Sequence, residues 1–228
     1  MTQSNSSIAL MRVLQLASSN LPVGGYTFSQ GLEQAIANDW LVSEKDVADW
    51  ISGVAEATLT HTDLPLIRRQ YRSVRQKDWA SCQRWNEYAL ASRESKELLL
   101  ADTAMGEALV RLAKGLDMLL PDFVIESSAS VSFTCVYALV AEQLQLELEQ
   151  ALSAYCWTQL EGQVLAATKL LPMGQTAAQS MLYRLSASIA DCVEASAEIG
   201  DEAIGLSLPA VAIASAQHEI LYSRLYRS

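Results

Sequence analysis

The chain has 228 residues, half of them apolar, and a formal net charge of −10. This is enough to bury a sizeable core, and it argues against disorder. Phosphate binding draws on Lys and Arg, so the acid excess argues against nucleic acid and favours a basic partner or metal-rich surroundings.

Glycine and proline are scarce and fall between stretches of helical periodicity. The first predicted helix covers Ile8–Ala17, after a loose N-terminus of about residues 1–7. It stops before Asn20-Leu21-Pro22. Phe28, Leu32 and Ile36 recur every four residues, so a second helix is expected from near Phe28, with Ser29 as its N-cap and Glu33 one place beyond the capping-box site. Ser43 caps a third, running to about Thr60, with Asp46 favouring its N-terminus and Val47, Ile51 and Val54 on its buried stripe. Asp63 and Leu64-Pro65 open a helix to near Gln76, with Asp63 as its cap.

Another helix covers Asp78–Ser92, with Trp79, Cys82, Trp85 and Ala89 on one side. Leu98, Met105, Leu109, Leu112 and Leu116 mark an amphipathic helix that Pro121 closes. Long helices follow over about Ser128–Leu144 and Glu147–Leu170. Pro172-Met173-Gly174 breaks the chain before a helix from Thr176 to about Glu198. A short helix around Pro209–Gln217 leads into a polar, aromatic tail. No strand alternation and no repeat of solenoid length survives. The expected fold is all-α: one helical bundle of about eight to ten helices spanning residues 1–228, with a tail over about 216–228. Many contact positions are Ala, Ser or Gly, which lets helices approach closely.

No apolar run nears the ~20 residues of a membrane span. The longest, VSFTCVYALVA (131–141), is interrupted by Ser132 and Thr134. The N-terminal MTQSNSSIALM lacks a basic signal-peptide region, so the cytosol is the expected compartment. Cys82, Cys135, Cys156 and Cys192 are far apart, without C-x-x-C spacing, and read as buried thiols. The chain holds no phosphate-binding glycine loop, no H-E-x-x-H and no G-x-S-x-G. Its two histidines are His61 and His218. A two-histidine metal site needs them to converge from opposite parts of the chain. RRQYRSVRQK (68–77) carries five of the 16 basic residues, with Arg68, Arg72 and Arg75 on one helix face. That face is either solvated beside acidic neighbours or a docking face for an acidic partner.

NLPVGGYTFSQGLE (20–33) poses the sharper question. Gly24 and Gly25 allow backbone angles closed to other residues. Tyr26 and Phe28 offer the rigid amphipathic area found in binding hot spots. The residues alone allow a tight turn with two core aromatics, or an interface. The tail HEILYSRLYRS (218–228) concentrates aromatics and arginines where chain ends are usually loose.

These segments carry a resemblance to a known family. LQLASSNLPVGGYTFSQGLEQAI (14–36), TDLPL (62–66), RESKELLLADTAMGEALVRL (93–112), LLPMGQTAAQ (170–179) and HEILYSRLYRS (218–228) resemble, in order, the conserved blocks of the urease accessory protein UreF family. Thr27-Phe28 stands where a Ser-Tyr pair is common, Tyr226 replaces a usual Phe and Ile220 a usual Thr. The resemblance implies a non-enzymatic, all-helical, dimerising protein without a cofactor or metal of its own. It binds UreD (also called UreH), recruits the GTPase UreG, and couples GTP hydrolysis to nickel insertion into apo-urease.

The resemblance also implies partner-binding roles. In the first block these fall on Gly24, Gly25, Tyr26, Phe28, Ser29, Gln30, Gly31 and Glu33. In the loop they fall on Gly174 and Gln175, on a UreG-facing surface. In the tail they fall on His218, Glu219, Tyr222, Ser223, Arg224, Leu225, Tyr226 and Arg227. The tail is expected to order on docking to UreD, its buried aromatics offsetting the ordering cost. The alternative is a tail folded back on its own domain, with Arg224 in an internal ion pair. Two other functions stay open: an acid–base or metal enzyme using His61, Asp63, His218 and Glu219, and a nickel-binding chaperone that depends on His218.

Overall fold

The computed structural model describes residues 2–125 and 130–227, with side chains from Ser7 onward. The described residues are helical with turns and loops, and ten of the α-helices have eight residues or more. Ser43 caps a helix as its sequence predicts. Its side chain accepts from the Asp46 amide, and the Asp46 carboxylate accepts from the Ser43 amide at 2.9 Å, closing a reciprocal capping box. The helices are α1 (Thr2–Leu16), α2 (Leu32–Ala37), α3 (Glu44–Val54), α4 (Leu64–Gln76), α5 (Trp79–Ala91) and α6 (Lys96–Gly115). They continue with α7 (Asp122–Ile125), α8 (Phe133–Gln143), α9 (Leu148–Leu170), α10 (Gln175–Ser186), α11 (Ser188–Ala195) and α12 (Pro209–His218).

Helix α8 is the axis of the fold. Phe133 through Ala141 are all buried, so the helix presents no solvent face until its last two residues. Helices α4 and α6 flank it, and α9 packs against α1, α2, α10 and α11. Phe133, Tyr137 and Tyr155 form an aromatic cluster with ring centroids 5.1–5.9 Å apart. Their hydroxyls are satisfied: Tyr137 donates to Ala151 O at 2.8 Å and Tyr155 to Asp63 Oδ2 at 2.8 Å. All four cysteines are buried and free.

Several sequence expectations move. Helix α1 begins at Thr2, so the segment expected to be loose is helical. Glycine, not Ser29, stands at the start of α2: Gly31 is the N-cap, in a left-handed conformation, and Ser29 is buried. Between α3 and α4 the chain winds as a π-helix, Ala55–Asp63, and never leaves helical backbone. Asp63 therefore caps nothing; its carboxylate turns inward instead. The expected start of α8 at Ser128 lies outside the described residues. The helix expected over Thr176–Glu198 divides at Ala187 into α10 and α11, and Gly174, not Thr176, is the N-cap of α10.

The basic face of α4 is not free either. Arg68 is buried and bonds Ser196 Oγ, Val193 O and Glu149, while Arg69 pairs with Asp201. Of that cluster Arg72, Arg75 and Lys77 remain exposed.

Gly106 marks the closest helix approach. A Cβ there meets Val131 O at 2.3 Å, because α6 lies directly against the segment entering α8. Gly162, inside α9, has nothing within 4 Å of such a Cβ. Gly106→Ala is therefore expected to destabilise by roughly 2 kcal/mol through overpacking. Gly162→Ala should stabilise by up to about 1 kcal/mol through helix propensity. Urea midpoints of the two variants check the opposite signs.

Candidate functional site

Two polar clusters organise the residues singled out by the sequence. The first joins the π-helix to α6. Arg93 donates to Asp63 Oδ1 at 2.8 Å and to Asp102 Oδ1 at 3.1 Å, and Tyr155 donates to the other oxygen of Asp63. Burial alone pulls the guanidinium's pKa down, but Asp102 and Asp63 outweigh it and hold the pKa above its ordinary value. Burial pushes the Asp102 carboxyl upward against the pull of Arg93. This cluster fixes the π-helical segment against α6 and α9.

The second cluster is built from three chain segments distant in sequence. Glu33 lies in the first turn of α2, Glu97 in the first turn of α6, and His218 in the last turn of α12. Gly31 lets α2 start this close to α12. Its φ of 85° suits glycine, and a Cβ there meets Val211 O at 3.0 Å and Ser215 N at 3.2 Å. Ser95 caps α6 through the Leu98 amide and bonds Ser215 Oγ at 2.7 Å, which ties the α6 N-terminus to α12. The His218 ring, fully buried, then lies between the two carboxylates: Nδ1 is 2.8 Å from Glu97 Oε2 and Nε2 is 3.0 Å from Glu33 Oε2.

The same carboxylates hold the tail. Arg224 donates to Glu97 Oε1 at 2.9 Å. The Leu225 and Tyr226 amides donate to Glu33 Oε1 and Oε2 at 2.7 and 2.9 Å. Tyr226 is buried, with Lys169 over its ring. The Arg227 amide donates to Thr27 O at 2.9 Å, and its guanidinium lies 5.8 Å from the Phe28 ring. The tail is thus folded back on its own domain with Arg224 in an internal ion pair. The expectation of a tail that orders only on docking gives way to its alternative, because two buried carboxylates collect its amides and its arginine.

This separates the predicted site residues into two groups. Phe28, Ser29, Gly31, Glu33, His218 and Tyr226 are buried and hold the surface from beneath. Tyr26, Glu219, Tyr222, Ser223, Arg224, Leu225 and Arg227 are exposed, as are Gly174 and Gln175 at the start of α10. Among these residues Tyr222 and Tyr26 are the most exposed aromatics, at 103% and 63% relative exposure. Gly24, Gly25 and Gln30 are half-buried, and Gln30 donates to Gln159 at 3.3 Å. Of the paired glycines only Gly24 has a positive φ; at Gly25 the constraint is space, since a Cβ comes 3.3 Å from Met105 Sδ.

The histidines do not meet in one site. His61 bonds Glu56 O within the π-helix, while both nitrogens of His218 face carboxylates on opposite edges of the ring. No cluster of three or more His, Cys, Asp or Glu that could hold a metal ion occurs among the described residues. Sequence reasoning missed Glu97, Arg93, Asp63 and Asp102 as members of these clusters. The available signal for Glu97 was its place just after the Ser95 cap, where an acid suits a helix N-terminus.

The fold and the two clusters define an all-helical protein whose tail and glycine-rich loop form one joined surface. Residues 41–186 match the family model described as UreF. The chain is 43% identical to the urease accessory protein UreF of Marinomonas sp. (strain MWYL1), over 97% of this chain and 95% of that protein. It is 39% identical to UreF of Teredinibacter turnerae, over 96% of this chain and 98% of that protein. With UreF of Alkalilimnicola ehrlichii it shares 37% over 100% of this chain and 99% of that one. The chain belongs to the UreF family of urease accessory proteins. No helix among the described residues is long and apolar enough to cross a membrane.

Glu33→Ala removes two amide contacts and one neighbour of the His218 ring. Losing a buried charged acceptor of this kind costs roughly 3 kcal/mol. The expected result is a lower urea midpoint together with faster carboxypeptidase removal of residues 224–227. A tail cleaved at the wild-type rate contradicts the assigned role of Glu33.

Proposed function

We propose that the chain is a non-enzymatic scaffold of urease maturation. It binds UreD (UreH) through the combined surface of the Gly24–Phe28 loop and the C-terminal tail. The pair then recruits the GTPase UreG, and the assembly couples GTP hydrolysis to nickel insertion into apo-urease in the cytoplasm. A homodimer is the proposed working form, with the Gly174-Gln175 loop towards UreG.

One observation carries the docking surface. Tyr26, Ile220, Tyr222 and Leu225 are large, apolar and exposed; the buried cluster holds the tail through the Leu225 and Tyr226 amides, and the Arg227 amide ties the tail to Thr27, next to Tyr26. Large exposed aromatics on a fixed backbone lose little entropy on docking, as hot-spot residues do. Family membership supports the choice of urease maturation, and the absence of a nucleotide-binding motif in this sequence agrees with a partner that brings the GTPase.

Deleting Ser223–Ser228 is a blunt test, because it also removes buried Tyr226 and the partners of Glu33. Point changes on the exposed side are cleaner. Tyr222→Ala with Leu225→Ala is expected to leave the helical circular dichroism and the urea midpoint unchanged. It should weaken capture of UreD by on the order of 30-fold, the equivalent of one hot-spot residue. Wild-type affinity in the double variant contradicts the proposed surface.

A further inference from the structure

The His218 ring is fully buried, and both its nitrogens lie within hydrogen-bond distance of carboxylate oxygens. A carboxylate only accepts, and a neutral imidazole carries one N–H and one lone pair. Only the imidazolium donates to both neighbours. Helix ends agree with that charge: Glu97 is in the first turn of the 20-residue α6, and His218 is in the last turn of α12. Anions are favoured at the one end and cations at the other.

The charged groups facing the ring are Glu33 from α2 and Glu97 from α6, with Arg224 from the tail on the far oxygen of Glu97. With an imidazolium the four charges cancel. With a neutral ring, one buried carboxylate is uncompensated and a ring lone pair points at an acceptor oxygen, which is costly in a buried site. The tail amides of Leu225 and Tyr226 share the Glu33 carboxylate with the ring, so tail and ring depend on the same two acids.

We propose that His218 is the proton-linked pin of the tail: the folded-back tail holds an imidazolium, and loss of that proton frees residues 222–227. Closing the tail takes up a proton, so raising the pH opposes closure. This is a property of the isolated chain and does not depend on which partner the tail meets. It gives a helical scaffold a means of presenting or releasing its tail with the protonation of one side chain.

The test uses the full chain with 15N-labelled histidine and backbone amides, followed by NMR from about pH 5 to about pH 9, on both sides of the ~6.5 of an ordinary imidazole. With two histidines in the chain, the His218 signals are assigned directly against His61→Gln. The expected result is an imidazolium pattern at both His218 nitrogens wherever the Leu225 and Tyr226 amides report a closed tail. Ring and amides then change together with one midpoint, and the closed-tail peaks are lost on the alkaline side. His218→Gln should lose those peaks, or their pH dependence, at every pH. The wild-type titration decides the matter even if that variant does not fold. A neutral His218 in the closed tail overturns the proposal, and so do tail amides that stay unmoved while the ring titrates.

Discussion

An imidazole held between two carboxylates fixes where this chain ends. Glu33, Glu97 and His218 come from three helices separated by most of the sequence, and their meeting requires each helix end to be placed. Gly31 lets α2 begin against α12, and Ser95 ties the α6 N-terminus to Ser215. The carboxylates then have oxygens left over, which take the Arg224 side chain and the Leu225 and Tyr226 amides. Buried charges are tolerated only when paired and fully hydrogen-bonded, and each member of the cluster satisfies another.

The consequence is a surface with a rigid underside. Phe28 and Tyr226 point into the core, while Tyr26, Tyr222 and Leu225 stand out from it. Arg227 closes the ring of contacts by bonding Thr27 and lying over Phe28, so loop and tail are joined directly. A tail that is already ordered does not spend binding free energy on ordering. For a protein of the UreF family, this changes the proposed docking step from folding on contact to presentation of a preformed face.

Much of the frame was legible in the sequence because it rests on local rules. Ser43 with Asp46 made a capping box, α4 runs from Leu64 to Gln76 as the Pro65 and periodicity signals said, and the scattered cysteines are buried. The all-α class followed from the same periodicity. What was not legible depends on distance in sequence. Asp63 read as a cap because it precedes Leu-Pro, but the π-helix carries the backbone through and sends the carboxylate to Arg93 and Tyr155. Glu33 read as a near-miss of a capping box, yet its partners lie about 190 residues away. The tail's composition looked like a free docking segment, and only the three-dimensional position of Glu33 and Glu97 turns it into a latch. Arg68 likewise looked like surface charge and is instead a buried clamp on α11.

The most direct measurement is native-state hydrogen exchange at the Leu225, Tyr226 and Arg227 amides of the isolated chain. The account predicts slowing on the order of a hundredfold relative to an unstructured peptide, because all three donate to acceptors within the domain. Exchange at the unstructured rate, with α6 and α8 still protected, contradicts it and returns the tail to a free segment.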